Sequence, residues 1–419
     1  MDNHPHSPRT DTATAADAGT AAGTGPLAGR LVIDLSRALA GPHAGMMLGD
    51  LGARVIKVEN TGTGDDTRGW GPPFVGPEDD PQATYFLSCN RNKESIALDL
   101  KSEDGAAVLT ALIREADVLI ENFRPGVLDR LGFPADRLHR LNPGLVILSI
   151  SGFGHDGPES HRSGYDQILQ GEAGLMSLTG SGPEDPQRVG VPIADLLSGM
   201  YGAYGVLAAL LEREATGRGQ VVRTSLLAAV VGVHAFQGTR TTVAGEVPRA
   251  QGNHHPSIAP YGLFACRDGH VQISVGSEKL WARFVEEFGL AEQAASLDTN
   301  AERVRRRGEV VALVEEAFAD YDAADLLAKL DGAGIPAGKV RTLDEVYEWE
   351  QVRSQHLLVD VEHPVLGEVR LPGPPLRFFS TEGDETTRRH HAAPPLLDEH
   401  GAGIRSWLAA ATPGQAEQA

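Results

Sequence analysis

The stretch LVIDLSRALAGPHAGMMLGDLGARVIKVE, residues 31–59, decides the fold. LVIDLS (31–36) is a short apolar run suited to a buried strand. AGPHAGMMLGDLGA (40–53) has helical spacing, and RVIKVE (54–59) is a second strand. The result is a strand–helix–strand unit, and the alternation continues outward from it. SIALDL (95–100) reads as a strand, and SEDGAAVLTALIREA (102–116) as a helix with Ser102 as its N-cap. DVLIENF (117–123) is the next strand, followed by a short helix around Val127–Arg130 and then LVILSISGFG (145–154). Such alternation predicts an α/β fold with a parallel, doubly wound sheet.

The pattern changes after Arg213. TGRGQ (216–220) is a turn, and QVVRTSLL (220–227) reads as strand then helix. Residues 235–260 look polar and irregular, and PYGLFACRDGHVQISVG (260–276) reads as two strands about the Arg267–Gly269 turn. KLWARFVEEFGL and RRRGEVVALVEEAFADY are amphipathic helices, which places a smaller α+β domain at 228–330. From GIPAGKV (334–340) onward, strands and turns lead to a last helix, GIRSWLAA. Residues 1–26, rich in Ala, Thr, Gly and Asp, and residues 409–419 read as disordered tails.

The chain has 419 residues, 37 basic and 57 acidic, for a net charge of −20. That balance argues against nucleic acid as a partner, because a phosphate backbone wants a basic face. Cys89 and Cys266 form no CxxC motif, which points to a reducing, cytoplasmic setting and away from a thiolate zinc site. His254–His255 and His390–His391 have no further ligands at suitable spacing, so no metal is expected. The longest unbroken apolar run, Leu226–Val233, is far below the ~20 residues of a membrane span. The N-terminus has no apolar signal-peptide core.

Several segments carry chemistry. AGPHAG lacks the spacing of a dinucleotide-binding loop. NRNKESIALDLK (90–101) and ENFRPGVLDR (121–130) put Arg91, Lys93, Lys101, Arg124 and Arg130 near strand ends, which would suit a polyphosphate, although each alone also reads as solvated surface charge. HRSGYDQILQGEAGLMSLTG (161–180) holds Tyr165 and Asp166 in a glycine-flanked turn. In VGVPIADLLSGMYGAYGVLAALLER (189–213), Asp195 precedes an apolar helix dotted with small residues that permit close approach of a helix or ligand. Asp is a preferred N-cap, and a carboxylate at a helix start in a water-poor pocket is also a covalent nucleophile. The residues alone leave both readings open.

Taken in order, these segments resemble the class III CoA-transferases, the CaiB/BaiF type that includes formyl-CoA transferase, carnitine CoA-transferase and α-methylacyl-CoA racemase. The resemblance rests on residues 31–59, GTGDDTRGW (62–70), NRNKESIALDLK, ADVLIENFRPGVLDRLG, LNPGLVILSISGFG, SGYDQILQGEAGLMSLTG, GVPIADLLSGMYGAYGVLAALLEREATGRGQ, GIPAGKV and PPLLDEH, spanning Leu27 to Leu408. It implies an interlocked homodimer whose Rossmann-like large domain is built from residues 27–227 and a return at 331–408.

It also implies a site. Asp195 falls on the family's nucleophilic aspartate, which forms an anhydride and then an aspartyl-CoA thioester, so no cofactor is needed beyond coenzyme A itself. CoA contacts are implied for Leu39, Ala40, Asn60, Leu98, Lys101, Asn122, Phe123, Arg124, Arg130, Tyr165 and Asp166. Asn60 stands where some members carry an arginine. Arg37 replaces a histidine and Leu39 a glutamine of the formate enzyme, and GNHHPSIAPYG occupies the place of its glycine-rich lid, which speaks against formyl or oxalyl specificity. That segment is similar to the branch using succinyl-CoA with dicarboxylates, where Arg37, Arg162, His254 and His255 would hold a distal carboxylate. Alternatives are a 2-methylacyl-CoA racemase and a non-catalytic acyl-CoA binder. The racemase needs a base titrating near neutrality where this chain has Tyr165, a group of ordinary pKa about 10.

Overall fold

The computed structural model describes residues 24–411. Six strands, β1 (Leu31–Asp34), β2 (Arg54–Glu59), β3 (Lys93–Ala97), β4 (Val118–Glu121), β5 (Val146–Ser151) and β6 (Val221–Ser225), form one sheet in the order β3-β2-β1-β4-β5-β6. Every pair in it is parallel. The order reverses between β1 and β4, the place where open α/β sheets receive ligands.

Both faces of this sheet are covered, which is why its strands read as continuous apolar runs rather than alternating ones. The covering helices include α1 (Ala40–Asp50), α2 (Glu103–Glu115), α3 (Asp166–Glu172) and α4 (Ile193–Thr216). On one face Val32, Val55, Val118, Ile120 and Leu148 pack with α1, α3 and α4. On the other, Ile33, Ile56, Ile96, Leu119 and Ile147 pack with Leu109, Leu112 and Ile113 of α2 and with Ile404 and Leu408 of the C-terminal helix Gly401–Ala411. Ser102 caps α2 as its sequence suggests, accepting a bond from Gly105 N at 3.0 Å.

The glycines of α4 serve this packing. A Cβ at Gly199 would lie 2.6 Å from Ala40 O, at Gly202 2.9 Å from Leu148, and at Gly205 2.6 Å from Val222. They bring α4 onto α1 and the sheet. By length and composition α4 is also a helix able to cross a membrane, with mean hydropathy 1.4. Counting unbroken apolar runs misses it, because polar and small residues interrupt its apolar ones.

A second core surrounds an antiparallel sheet of β7 (Tyr261–Cys266), β8 (Gly269–Ser274) and β9 (Ala337–Lys339), in the order β9-β8-β7. Phe264, Val271 and Ile273 pack there against Trp281, Phe284, Val310, Val314, Phe318, Leu326 and Leu330. Strand β9 lies beyond the expected boundary at 330.

Three expectations need correction. The third strand, expected at 95–100, runs Lys93–Ala97, because Lys93 enters the core with its ammonium on Asp34, at 2.9 Å. The segment 235–260 is not irregular throughout, since α5 (Ala235–Ala244) occupies its start. That helix buries no residue within the chain, with Phe236 and Val243 exposed, so no inward apolar stripe announces it. Of the expected tails, Thr24 and Gly25 lie against Leu51 and Gly52, and 409–411 continue the last helix. The rest of both tails, 1–23 and 412–419, lies outside the described residues.

After Gly373 the chain returns to β3. Asn92 N donates to Ala392 O at 3.0 Å, Ala97 N to the Asp398 carboxylate at 2.8 Å, and His400 N to Ser95 O at 3.0 Å.

Candidate functional site

The turn Ser36–Leu39 leaves the end of β1 at the point where the strand order reverses, and it is held from beneath by buried charge. Lys57 on β2 donates to Ser36 O at 2.8 Å and pairs with Asp65 at 2.8 Å. Lys93 on β3 pairs with Asp34 and also donates to Pro42 O and to the Asn90 side chain. Arg68 forks onto Glu59 at 2.7 and 2.8 Å. Three acids and three bases balance. Burial opposes the charge on Lys57, but Asp34 and Asp65 outweigh it and hold the ammonium above its ordinary range. Ala38 takes φ +64°, donating its N–H to Asp65 at 3.2 Å, while Asn122 exchanges two bonds with the Arg37 backbone at 3.0 and 2.7 Å.

One side of this turn opens on a cavity of about 190 Å³ at the carboxyl edge of the sheet. Arg37, Asn60, Leu98, Lys101 and Phe123 line it, five of the residues singled out from sequence. The other side packs on α4: Leu39, buried, clusters with Met46, Cys89, Tyr85 and Leu196, the residue after Asp195. Ala40 is buried at the start of α1. Asn122 acts through the Arg37 backbone. Arg124 turns away from this cavity into a second one, and Arg130 lies exposed beside Gly126.

Asp195 is the third residue of α4, not its cap. Pro192 holds the cap position and supplies no side-chain bond. The capping bond comes from another helix: Asp166 Oδ1 accepts from Ala194 N at 2.8 Å, while its Oδ2 accepts from Gln170 at 2.7 Å. The half-buried Asp195 carboxylate therefore has no hydrogen-bond partner among the described residues. Burial, and then the charge of Asp166, push its pKa up to about 7. The capping bond is thus made by Asp166, and Asp195 makes none.

Tyr85 completes this corner, and sequence reasoning did not find it. Its ring meets Trp70 edge-on at 5.1 Å, and burial, then Asp195, raise its phenol to about 12. The only signal was an aromatic pair just before NRNKES. Tyr165 is exposed. His254 packs on Phe264 at 5.5 Å, whereas His255 stacks on Phe236 and Tyr261 at 5.7 and 5.0 Å, so the two histidines serve different neighbours. Arg162 is engaged by Glu159 and Glu172. No cluster of three His, Cys, Asp or Glu side chains suited to a metal occurs among the described residues.

The family model for CoA-transferase family III matches residues 27–401. The chain is a family III CoA-transferase. The succinyl-CoA:glutarate CoA-transferase of Mus musculus is 38% identical over 377 residues, covering 90% of this chain and 84% of that one. The acetyl-CoA:oxalate CoA-transferase of Acetobacter aceti is 38% identical over 391 residues, covering 92% and 96%. The crystal structure of a CaiB/BaiF family protein from Brucella suis superposes with TM-score 0.81 at 40% identity, covering 92% of this chain and 100% of that one.

The Tyr165–Asp166 turn carries two predictions for this transferase. Gly164 and Gly152 pack backbone to backbone, and a Cβ at Gly164 would lie 2.6 Å from Gly152 Cα. Gly164→Ala must push the turn and its cap off α4, costing about 1–3 kcal/mol and about 10²-fold in kcat. Gly182→Ala, with nothing within 4 Å, is the neutral control. Both are read by urea denaturation and initial rates. Second, transfer through Asp195, the role proposed below, would need its ionised form, so kcat/KM is expected to rise with pH through about 7. Asp166→Asn keeps an acceptor for Ala194 N but removes the like charge, moving that midpoint acidward by roughly half to one pH unit. An unmoved midpoint contradicts this electrostatic account.

Proposed function

We propose that the chain moves CoA from an acyl-CoA donor, such as succinyl-CoA, to a dicarboxylic acid, with Asp195 as covalent carrier. The observation that carries this is a half-buried carboxylate, released from capping by Asp166, beside the turn whose far side lines a cavity at the sheet's switch point. In the proposed cycle the Asp195 carboxylate adds to the donor thioester carbonyl and expels CoA thiolate, leaving a mixed anhydride. The thiolate then attacks the aspartyl carbonyl, releasing the donor acid and leaving an aspartyl-CoA thioester. The acceptor carboxylate repeats these steps in reverse and regenerates Asp195. Charge is conserved at every stage, so coenzyme A is the sole cofactor required.

Arg37 at the cavity mouth pairs only loosely with Asp66, at 3.5 Å, and suits a distal carboxylate better than Arg162 does. The relatives named for glutarate and oxalate both act on dicarboxylates, which supports the acceptor class without fixing its length.

The exposed stripe Met200, Tyr204, Leu207 and Leu211 on α4, at helical spacing, supports an interlocked homodimer, with 228–330 as the smaller domain. Two free cysteines, Cys89 and Cys266, accord with a cytoplasmic setting. The test is a CoA-exchange panel: succinyl-CoA and acetyl-CoA against carboxylic acids, with Asp195→Ala as control. Exchange with dicarboxylates alone is expected. Racemisation of 2-methylacyl-CoA without an acceptor acid, or tight CoA binding with no covalent adduct at Asp195, overturns the reading.

A further inference from the structure

A second cavity, of about 210 Å³, lies over one face of β4, β5 and β6 and shares no lining residue with the Arg37–Phe123 cavity. The strand register sets Glu121 beside Ser149 and Ser149 beside Arg223. Lateral neighbours in a sheet point to the same face, so the three side chains stand in one row across three strands. Ser149 donates to Glu121 Oε1, and Phe123 N donates to Oε2 at 2.8 Å. His155 closes the row, with Nε2 2.7 Å from Ser149 Oγ and Nδ1 3.4 Å from Ser151 Oγ.

The charges in this row do not cancel. Burial raises the Glu121 carboxyl above its ordinary range despite the bonds from Ser149 and Phe123, which favours its neutral form. Burial, and then the charge of Arg223, hold His155 below its own range, as a neutral hydrogen-bonding ring. Arg223 and Arg124 both line the cavity and are exposed, and neither has a carboxylate partner among the described residues. Asp129 lines the same cavity without an ion pair to either, so in a chain of net charge −20 this small cavity sets two guanidinium groups against one exposed carboxylate.

We propose that this cavity is a binding site for a small oxyanion, phosphate or the carboxylate of a small organic acid, held by the guanidinium groups of Arg223 and Arg124, with the Glu121–Ser149–His155 row forming its wall. Guanidinium forks match both oxyanions bidentately. The volume admits a phosphate or a short organic acid.

The experiment titrates the full-length protein by calorimetry with inorganic phosphate in one arm and succinate in another, each with and without saturating CoA. Saturable binding in at least one arm is expected, unaffected by CoA and weakened at least about tenfold in Arg223→Gln. His155→Phe, which leaves the arginines in place, should weaken it less. The responding arm identifies which oxyanion the site takes. No saturable binding in either arm, binding abolished by CoA, or equal affinity in folded Arg223→Gln and His155→Phe overturns the proposal. Because CoA exchange is measured separately, failure here leaves the transfer reading standing.

Discussion

Asp195→Asn is expected to abolish CoA transfer, by at least about 10³-fold in kcat, and to make the protein more stable at pH 8. An amide cannot accept the acyl group, so the proposed covalent route closes while the cavity at the strand-order reversal is untouched; Kd for CoA should stay within about threefold. The stability sign follows from proton binding. In the folded chain the carboxyl titrates near 7, and in the unfolded chain near 3.9. Between those values the folded state holds the extra proton, so wild-type stability falls as pH rises through that window. The amide of the variant carries no such penalty. The gain at pH 8 is on the order of 1–3 kcal/mol, after discounting for the water that reaches a half-buried group, and it vanishes at pH 4. Urea midpoints at the two pH values, beside exchange rates, check both halves. A variant equally stable at both would show that Asp195 is not held protonated by its surroundings.

Lys57→Met is the second large effect, and it falls on stability first. Removing one member of a buried, balanced charge set leaves Asp65 without its ammonium partner while Asp34 keeps Lys93, a loss of about 3–5 kcal/mol. It also releases Ser36 O and loosens the Asp65 side chain that holds Ala38 in its left-handed conformation. What survives folding should bind CoA more weakly, because Arg37 depends on that turn for its place on the cavity. Denaturant midpoints and CoA titration of the refolded variant measure the two losses. A loss below about 1 kcal/mol, the level of an exposed pair, contradicts the account.

Much of this was legible in the sequence because parallel strands buried on both faces leave continuous apolar runs. β1, α1 and β2 lie close to where 31–59 placed them. Asp195 was legible as a candidate, but its local sequence could not divide capping from catalysis. The division depends on Asp166, a residue 28 positions away in the bonding pair with Ala194. The internal ion pairs were hidden for a related reason. Lys93 reads as surface charge when taken singly, nothing in the sequence marks Lys57 or Asp65, and only the closing of β1, β2 and β3 turns them inward. Adjacency groups Arg124 with Phe123, yet successive residues leaving a strand face opposite sides, and each lines a different cavity. Helix α5 escaped because its apolar residues, Phe236 and Val243, stay exposed rather than forming a stripe turned to the core.

The return of the chain to β3 has a bearing on solubility. β3 is the outermost strand of the parallel sheet, and a bare outer strand is a template for pairing with other molecules. Asp398, His400 and Ala392 occupy its free hydrogen-bonding groups instead. A chain cut after Gly373 would keep much of both apolar cores yet uncover that edge and invite self-association. The last forty or so residues thus act as a built-in guard against aggregation, and a fusion partner is better joined beyond residue 411 than spliced into the segment that precedes it.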